Sequence, residues 1–463
     1  MTSTLRTISP VDGRIYVERT LETAAGIDRA LDAAARAQRS WAATPLGARC
    51  ALLTEAVDVF VSKASEIAVE ISWQMGRPIR HASSEVHGFE ERARTMLQLA
   101  PEALAAIKPG EKPGFERQIK RVPLGVVAVV APWNYPYLTA VNAVLPALIA
   151  GNAVVLKHSH QTPLCAERFL EAFAAAGVPA GVFQYLHLSH EDTSRLMSDA
   201  RVASVCFTGS VSGGRAVVAA IATGFANAGL ELGGKDPAYV RSDANLAHAI
   251  ESLTDGAFFN AGQSCCGIKR IYVAAPRYDE FVAGVVALTR QYRLGSPLDP
   301  ETTLGPVVRT SAAEAVRAQV REAVARGASQ LIDEKAFAAS KAGTPYLAPQ
   351  VLVGVDHSMP IMREETFGPA VGIMKVDSDD EALRLMNDSD FGLTAAIYSS
   401  DPVRAEALAD ALETGTVFLN RCDYLDPTLA WTGVKNSGRG CTLSRLGFEQ
   451  LTRPKSFHFK VTL

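Results

Sequence analysis

The stretch Phe259-Asn260-Ala261-Gly262-Gln263-Ser264-Cys265-Cys266-Gly267 sets two thiols side by side in a small, polar, glycine-flanked segment. Adjacent cysteines rarely bridge each other in a structural role. Such a thiol is either an accessible nucleophile or one of the many cysteines that simply fill a core. As a nucleophile it acts as the thiolate. With a free pKa of about 8.5, it needs a favourable site to ionise at neutral pH. Glu231, in Glu231-Leu232-Gly233-Gly234-Lys235, places a carboxylate before a flexible glycine pair. It is a candidate general base, or one more solvated glutamate. Asn134, in Pro132-Trp133-Asn134-Tyr135-Pro136, follows an apolar run. It stands either where open α/β sheets bind ligands or in a plain turn. Phe207-Thr208-Gly209-Ser210-Val211-Ser212-Gly213-Gly214 sits where a strand should hand over to a helix. Glycines there let the backbone approach a phosphate, and the helix N-terminus attracts the anion. The segment is not a GxGxxG fingerprint, and an ordinary strand–helix turn fits it equally well.

These residues need a scaffold, and hydrophobic spacing outlines one. The first hundred residues read as helices: Ile27, Ala30, Leu31, Ala34, Ala37 and Trp41 recur at helical spacing, as do residues in 52–71 and 86–107. Pro109-Gly110-Glu111-Lys112-Pro113-Gly114 breaks the pattern. Short apolar runs at 125–130, 153–156, 182–186 and 204–207 then read as strands, with helical runs at 138–149 and 163–176. Strands alternating with helices imply βαβ units and a parallel sheet. A similar alternation resumes after residue 235, which predicts two α/β domains meeting near Gly233-Gly234. The run 456–461 alternates with period two and reads as a strand that pairs outside its own domain.

The chain has 463 residues, 48% hydrophobic and 21% charged, enough to bury a large core and too apolar for disorder. With 46 basic and 49 acidic residues there is no basic excess, so nucleic acid is not an expected partner. No uninterrupted run of 18 apolar residues exists, and the N-terminus shows no signal-peptide core. The expectation is a cytoplasmic protein without a membrane partner. Seven cysteines without a CxxC pair, and nine histidines without HExxH or HxxxH, predict neither a disulfide framework nor a metal site.

Taken together, Pro-Trp-Asn-Tyr-Pro at 132–136, Glu-Leu-Gly-Gly-Lys at 231–235, Gly-Gln-Ser-Cys at 262–265 and Glu364-Glu365-Thr366-Phe367-Gly368-Pro369 resemble the motifs of the aldehyde dehydrogenase superfamily, in its order. Cys265 follows Glu231 by 34 residues, close to that family's spacing. Gly415-Thr416-Val417-Phe418-Leu419-Asn420 and Gly433-Val434-Lys435-Asn436-Ser437-Gly438 resemble its C-terminal signatures. The resemblance implies oxidation of a small-molecule aldehyde with hydride transfer to NAD or NADP. It makes Cys265 the nucleophile, Glu231 the base that activates the hydrolytic water, and Asn134, with the Cys265 backbone N–H, the oxyanion donor. Cys266 is the lesser candidate, because the family motif puts the reactive thiol two residues after the glutamine. The resemblance assigns Trp133, Lys157, Ser159, His160, Gly209, Ser210, Gly214, Leu232, Glu365 and Phe367 to the cofactor, and gives Lys235 a structural role. It places Tyr135, Leu138, Thr139, Asn142, Tyr424 and Trp431 along the substrate tunnel, a mix that suits a medium-sized aldehyde. No arginine is expected there to hold a second carboxylate.

The implied fold is α/β, with two parallel-sheet domains and a small oligomerisation region. The expected boundaries are 1–105 and 124–232 for the dinucleotide-binding domain, 233–442 for the catalytic domain, and 106–123 with 443–463 for oligomerisation into a homodimer or homotetramer. Two positions depart from the family pattern. His160 replaces a glutamate that often contacts the adenosine ribose, and when protonated it would attract the 2′-phosphate of NADP. Arg453 stands where many relatives carry a glutamate of a proton relay. Rival readings are a CoA-acylating dehydrogenase, which usually lacks the glutamate found here as Glu231, a non-catalytic protein on the same fold, and a cysteine hydrolase, for which no histidine stands in a motif suited to Cys265.

Overall fold

A computed structural model describes residues 3–462. Its first element corrects the expectation of helices from the start. In Thr4–Ile8 the side chains alternate between exposed and buried, with Leu5 and Thr7 turned inward. The segment pairs antiparallel with Ile15–Thr20. The turn between them uses Gly13 at φ 75°, a conformation that costs glycine nothing. Helices follow. Ala24–Ala43 is capped by Thr23, whose hydroxyl accepts from the Gly26 N–H, and it buries Ile27, Ala30, Leu31, Ala34 and Trp41. The expected 52–71 helix is two helices, Leu46–Ser62 and Ala64–Met75, broken at Lys63. Ser84–Ala103 ends short of Ile107, which bridges to Ile119 instead.

The first sheet has the spatial order Gly438–Arg439, Asn227–Glu231, Val202–Thr208, Val126–Val130, Ala153–Lys157, Phe183–Tyr185. All neighbours are parallel except the Gly438–Arg439 edge. Val126–Val130 and Ala153–Lys157 are buried along their whole length, as strands covered on both faces must be. The chain runs outward from Val126–Val130 to one side, then returns to build the other. The carboxyl ends of Val126–Val130 and Val202–Thr208 therefore flank a topological switch point, where such sheets leave a crevice. Asn134 and Gly209 lie just beyond those two ends.

The chain leaves this sheet at Glu231 and enters the second at Asp236. The second sheet runs Ser329–Gln330, Gln350–Val353, Ala370–Val376, Ile268–Ala274, Asp236–Val240, Thr394–Tyr398, Thr416–Leu419. It is parallel apart from its Ser329–Gln330 edge. Thr452–Lys460 pairs antiparallel with Phe115–Pro123 over nine residues, well away in sequence.

One stretch lies across the expected boundaries. Gly438–Arg439 extends the first sheet by pairing with Leu230 and Glu231. The helical turn Arg445–Leu451 buries Phe448 and Leu451 in the same core as Val127, Tyr137 and Leu148. Residues 438–451 thus return to the first sheet, because their apolar side chains complete its core. Among the described residues no helix is long and apolar enough to cross a membrane.

Candidate active site

Cys265 follows a short, strained approach. Asn260 and Ala261 have φ of 53° and 55°, and Gly262 has 67°. For alanine, left-handed backbone costs about 1–2 kcal/mol, so the surroundings must hold it. Lys269 does so from the neighbouring strand: its buried Nζ donates to the carbonyls of Gly262 and Gly368, each at 2.8 Å. Loss of water lowers its pKa to about 7. Gln263 adds a second brace, donating Nε2 to the Asn260 carbonyl at 3.1 Å and accepting from the Val308 N–H at 2.7 Å.

The two thiols end in different surroundings. Cys266 is buried and donates its S–H to Asp423 Oδ1 at 2.8 Å. A hydrogen bond with Cys265, burial, and the Asp423 charge hold its pKa well above the ordinary thiol value. Asp423 itself, stripped of water, is pushed up to about 6. Cys265 is half-exposed and lines two cavities, one of about 540 Å³ and one of about 250 Å³.

The larger cavity also takes in Glu231. Thr208 Oγ1 donates to one carboxylate oxygen at 3.1 Å and Thr442 Oγ1 to the other at 2.5 Å, which fixes its plane. Burial raises the Glu231 pKa, opposed by Thr442, Thr208, Arg92 and Asn142. Behind it a pocket of about 20 Å³ has room for about one water. Tyr135, Leu138, Thr139, Asn142, Tyr424 and Trp431, all expected along the substrate tunnel, line this larger cavity. Arg92 lines it too, its Nη1 engaged by the Leu138 carbonyl and Asn142 Oδ1. Sequence spacing missed Arg92 because it reaches the site from the distant helix Ser84–Ala103.

Asn134 is buried and lines the smaller cavity with Cys265. One amide N–H goes to the Gln263 carbonyl at 3.2 Å; an amide carries a second. Its own backbone carbonyl accepts from Arg77 Nη2 at 2.6 Å and Asn260 Nδ2 at 3.0 Å, which ties the asparagine to the cysteine loop.

Trp133, Gly209, Ser210, Leu232, Glu365 and Phe367 complete the smaller cavity. Ser210 caps the helix Val211–Ile221, accepting from the Gly213 N–H at 3.1 Å, so that helix N-terminus opens beside the cavity. A Cβ at Gly209 would sit 2.7 Å from the Phe207 ring, and one at Gly214 2.8 Å from the Leu232 methyls. The Trp133 and Phe367 rings stand edge to face, 5.6 Å apart. Glu365 accepts from the Gly234 N–H at 3.3 Å, and Lys235 donates to Thr366 at 2.7 Å, in keeping with a structural lysine.

Lys157, Ser159 and His160 lie at the end of the neighbouring strand, outside the lining of that cavity. Lys157 is buried, which lowers its pKa to about 8. Ser159 Oγ accepts from the Gln161 N–H at 3.2 Å. His160 Nε2 is bonded to the Leu188 carbonyl at 2.6 Å. Burial lowers its pKa, and the Lys157, His190 and His187 charges act in the same sense. One ring nitrogen is thus committed, and burial acts against the protonated form. Arg453 is exposed on the terminal strand opposite Val122, so it brings no carboxylate to Glu231.

The model of the aldehyde dehydrogenase family matches residues 1–457. Succinate semialdehyde dehydrogenase Sad of Escherichia coli K12, an NAD(P)+ enzyme, is 34% identical over 424 residues, 92% of this chain and 91% of its own. The 3,6-anhydro-alpha-L-galactose dehydrogenase of Streptomyces coelicolor is 35% identical over 99% of this chain and 93% of its own. The crystal structure of succinic semialdehyde dehydrogenase from Streptococcus pyogenes in complex with NADP+ superposes with a TM-score of 0.94 at 30% identity, covering 98% of this chain and all of that one. The family match along almost the whole chain, together with these relatives, places the protein in the aldehyde dehydrogenase family as an NAD(P)-dependent aldehyde dehydrogenase.

Proposed function

We propose that the protein oxidises a medium-sized aldehyde to the carboxylic acid through an acyl-enzyme on Cys265, hydrolysed by water that Glu231 activates, without CoA. One observation carries this reading: Cys265 lines both cavities, and Glu231 lines the larger one with it. The aldehyde enters the larger cavity. The Cys265 thiolate attacks the carbonyl carbon, a C–S bond forms, and the oxygen takes the negative charge. The free N–H of Asn134 and the Cys265 backbone N–H are the donors for that oxyanion. Trp133, Gly209, Ser210, Leu232, Glu365 and Phe367 would hold NAD(P), which would accept the hydride leaving the carbon as the oxyanion collapses to the thioester. Glu231 then takes a proton from water, the water oxygen attacks the thioester carbonyl, and Cys265 leaves as thiolate. A pKa raised by burial suits that base to work near neutrality.

The tunnel combines Tyr135, Tyr424 and Trp431 with Leu138, Thr139 and Asn142, which favours aromatic or aliphatic aldehydes of medium size. Assembly into a dimer or tetramer through the strand pair 115–123 and 452–460 belongs to the same reading. It is supported by the exposed Phe459 on a sheet that has two strands among the described residues. The dinucleotide-binding, catalytic and oligomerisation assignments of the chain follow the two sheets and this pair. Incubating the protein with a panel of aldehydes and NAD(P), with CoA omitted, tests the function: reduced cofactor and free acid should form in equal amounts. Turnover that needs CoA, or acid release without cofactor reduction, contradicts it.

A further inference from the structure

Asn134 follows the strand Val126–Val130 of the first sheet, while Cys265 precedes the strand Ile268–Ala274 of the second. An oxyanion donor and a thiol carried on separate sheets need a tie between them. Arg77 touches both segments from a third part of the chain, the turn Gly76-Arg77-Pro78 that ends the helix Ala64–Met75. Gly76 closes that helix at φ 86°, and a Cβ there would sit 2.8 Å from Pro306 Cγ, so the turn is seated against Pro306. Arg77 is buried and lines neither cavity. Its guanidinium has three partners. Nη1 pairs with Glu85 Oε2, Nη2 donates to the Asn134 carbonyl at 2.6 Å, and Nε donates to Asn260 Oδ1 at 3.2 Å. The guanidinium carbon also stands 4.6 Å from the centre of the Tyr135 ring.

Each partner belongs to a different piece of the site. Glu85 stands in the first turn of the helix Ser84–Ala103. Its Oε1 accepts from the N–H groups of Tyr137 and Leu138 at 2.9 and 3.0 Å, at the start of the helix Pro136–Ile149, whose N-cap residue Tyr135 supplies no side-chain bond. Glu85 thus fixes the chain just after Asn134, and Arg77 fixes Asn134 itself. On the other side the link runs through Asn260. Its oxygen is taken by Arg77, which leaves Nδ2 to donate to the Asn134 carbonyl at 3.0 Å. Asn134 in turn donates Nδ2 to the carbonyl of Gln263, two residues before Cys265, at 3.2 Å. With one N–H of the Asn134 amide bonded there, the direction of the other is set by how the Asn134 backbone is held. A planar guanidinium serves three acceptors at fixed angles, whereas an ammonium is a single point of charge.

We propose that Arg77 is a positioning residue for the oxyanion site: its guanidinium holds the Asn134 carbonyl and the Asn260 amide together, and so keeps the free amide N–H of Asn134 in register with Cys265. This rests on the role proposed above for Asn134. The test is the first-turnover rate of cofactor reduction when full-length variants are mixed with aldehyde and saturating NAD(P). The variants are Arg77→Lys, Asn260→Gly, Asn134→Ala and the double variant Arg77→Lys/Asn134→Ala. Asn134→Ala should lower that rate by about 10²–10³, the range for loss of one oxyanion donor, without abolishing it. Lysine keeps a charge for Glu85 but not the fork, so Arg77→Lys should slow the first turnover roughly tenfold to a hundredfold while KM for NAD(P) stays at its native value. In the Asn134→Ala background the same substitution should slow it by no more than about twofold, because the group it positions is gone. An arginine that serves stability alone would act alike in both backgrounds, and that result overturns the proposal. A native first-turnover rate in Arg77→Lys, or a loss confined to KM, overturns it too. Should Arg77→Lys not fold, Asn260→Gly removes the amide with the ion pair intact, and glycine suits the left-handed backbone at φ 53°. It should slow the first turnover as well, and a native rate there is equally fatal. Asn134→Ala separates the two ideas. If its rate is native, Asn134 is not the oxyanion donor and both readings fall; if it is slow while Arg77→Lys is native, only the role of Arg77 fails.

Discussion

Cys266 donates its S–H to Asp423 at 2.8 Å, while its neighbour Cys265 opens onto both cavities. Two adjacent thiols of the same intrinsic chemistry are thereby placed in different surroundings. Cys265→Ala should abolish aldehyde oxidation and leave NAD(P) binding intact, as read by cofactor fluorescence or calorimetry. Cys266→Ala should keep much of its activity. Activity retained by Cys265→Ala and lost from Cys266→Ala would reverse the assignment.

Cofactor preference should not respond to protons at His160. Burial lowers the His160 pKa, so between about pH 8 and about 6 the ring takes up less charge than an unperturbed imidazole of pKa about 6.5 would. The NADP/NAD ratio of kcat/KM should be flat across that range. A ratio that climbs as pH falls would show that the imidazole gains a proton next to the phosphate. His160→Glu should shift preference towards NAD by about 1–3 kcal/mol, the scale of a charge-assisted hydrogen bond with like-charge repulsion of the 2′-phosphate.

Lys269 should matter more for rate than its distance from the chemistry suggests. It anchors the carbonyls of Gly262 and Gly368 beneath the strained loop that carries Cys265. Lys269→Met leaves those buried acceptors unpaired, which costs about 1–3 kcal/mol. Denaturant unfolding should register that loss. The burst of cofactor reduction should slow as well, because the thiol is no longer held in register with Asn134. An unchanged burst rate in a destabilised variant would confine Lys269 to stability.

Much of the site was legible because its chemistry is concentrated in short contiguous segments. Asn134, Glu231 and Cys265 each sit in a local pattern, and the fold brings the last two to one cavity. Arg92 was not legible. Its neighbours Glu90, Glu91 and Arg94 are charged as well, and Arg94 spends itself on a surface pair with Glu90 at 2.8 Å. Only the packing of its helix against Pro136–Ile149 turns Arg92 inward. His160 was identified by position, but its partner carbonyl at Leu188 lies on another connection and has no signature in sequence. The N-terminal hairpin was missed because five alternating residues, Thr4–Ile8, are too few to stand out beside the long helical runs that follow. Gly438–Arg439 was missed for the same reason, since a two-residue edge strand has no periodicity to read.

The central claim is a covalent acyl-enzyme on Cys265 that depends on Glu231 for its release. Mass spectrometry of the intact Glu231→Gln variant, quenched after mixing with aldehyde and NAD(P), tests it most directly. One acyl group per chain should accumulate, and peptide mapping should place it on Cys265. No adduct in the presence of reduced cofactor, or an adduct on Cys266, would contradict the account.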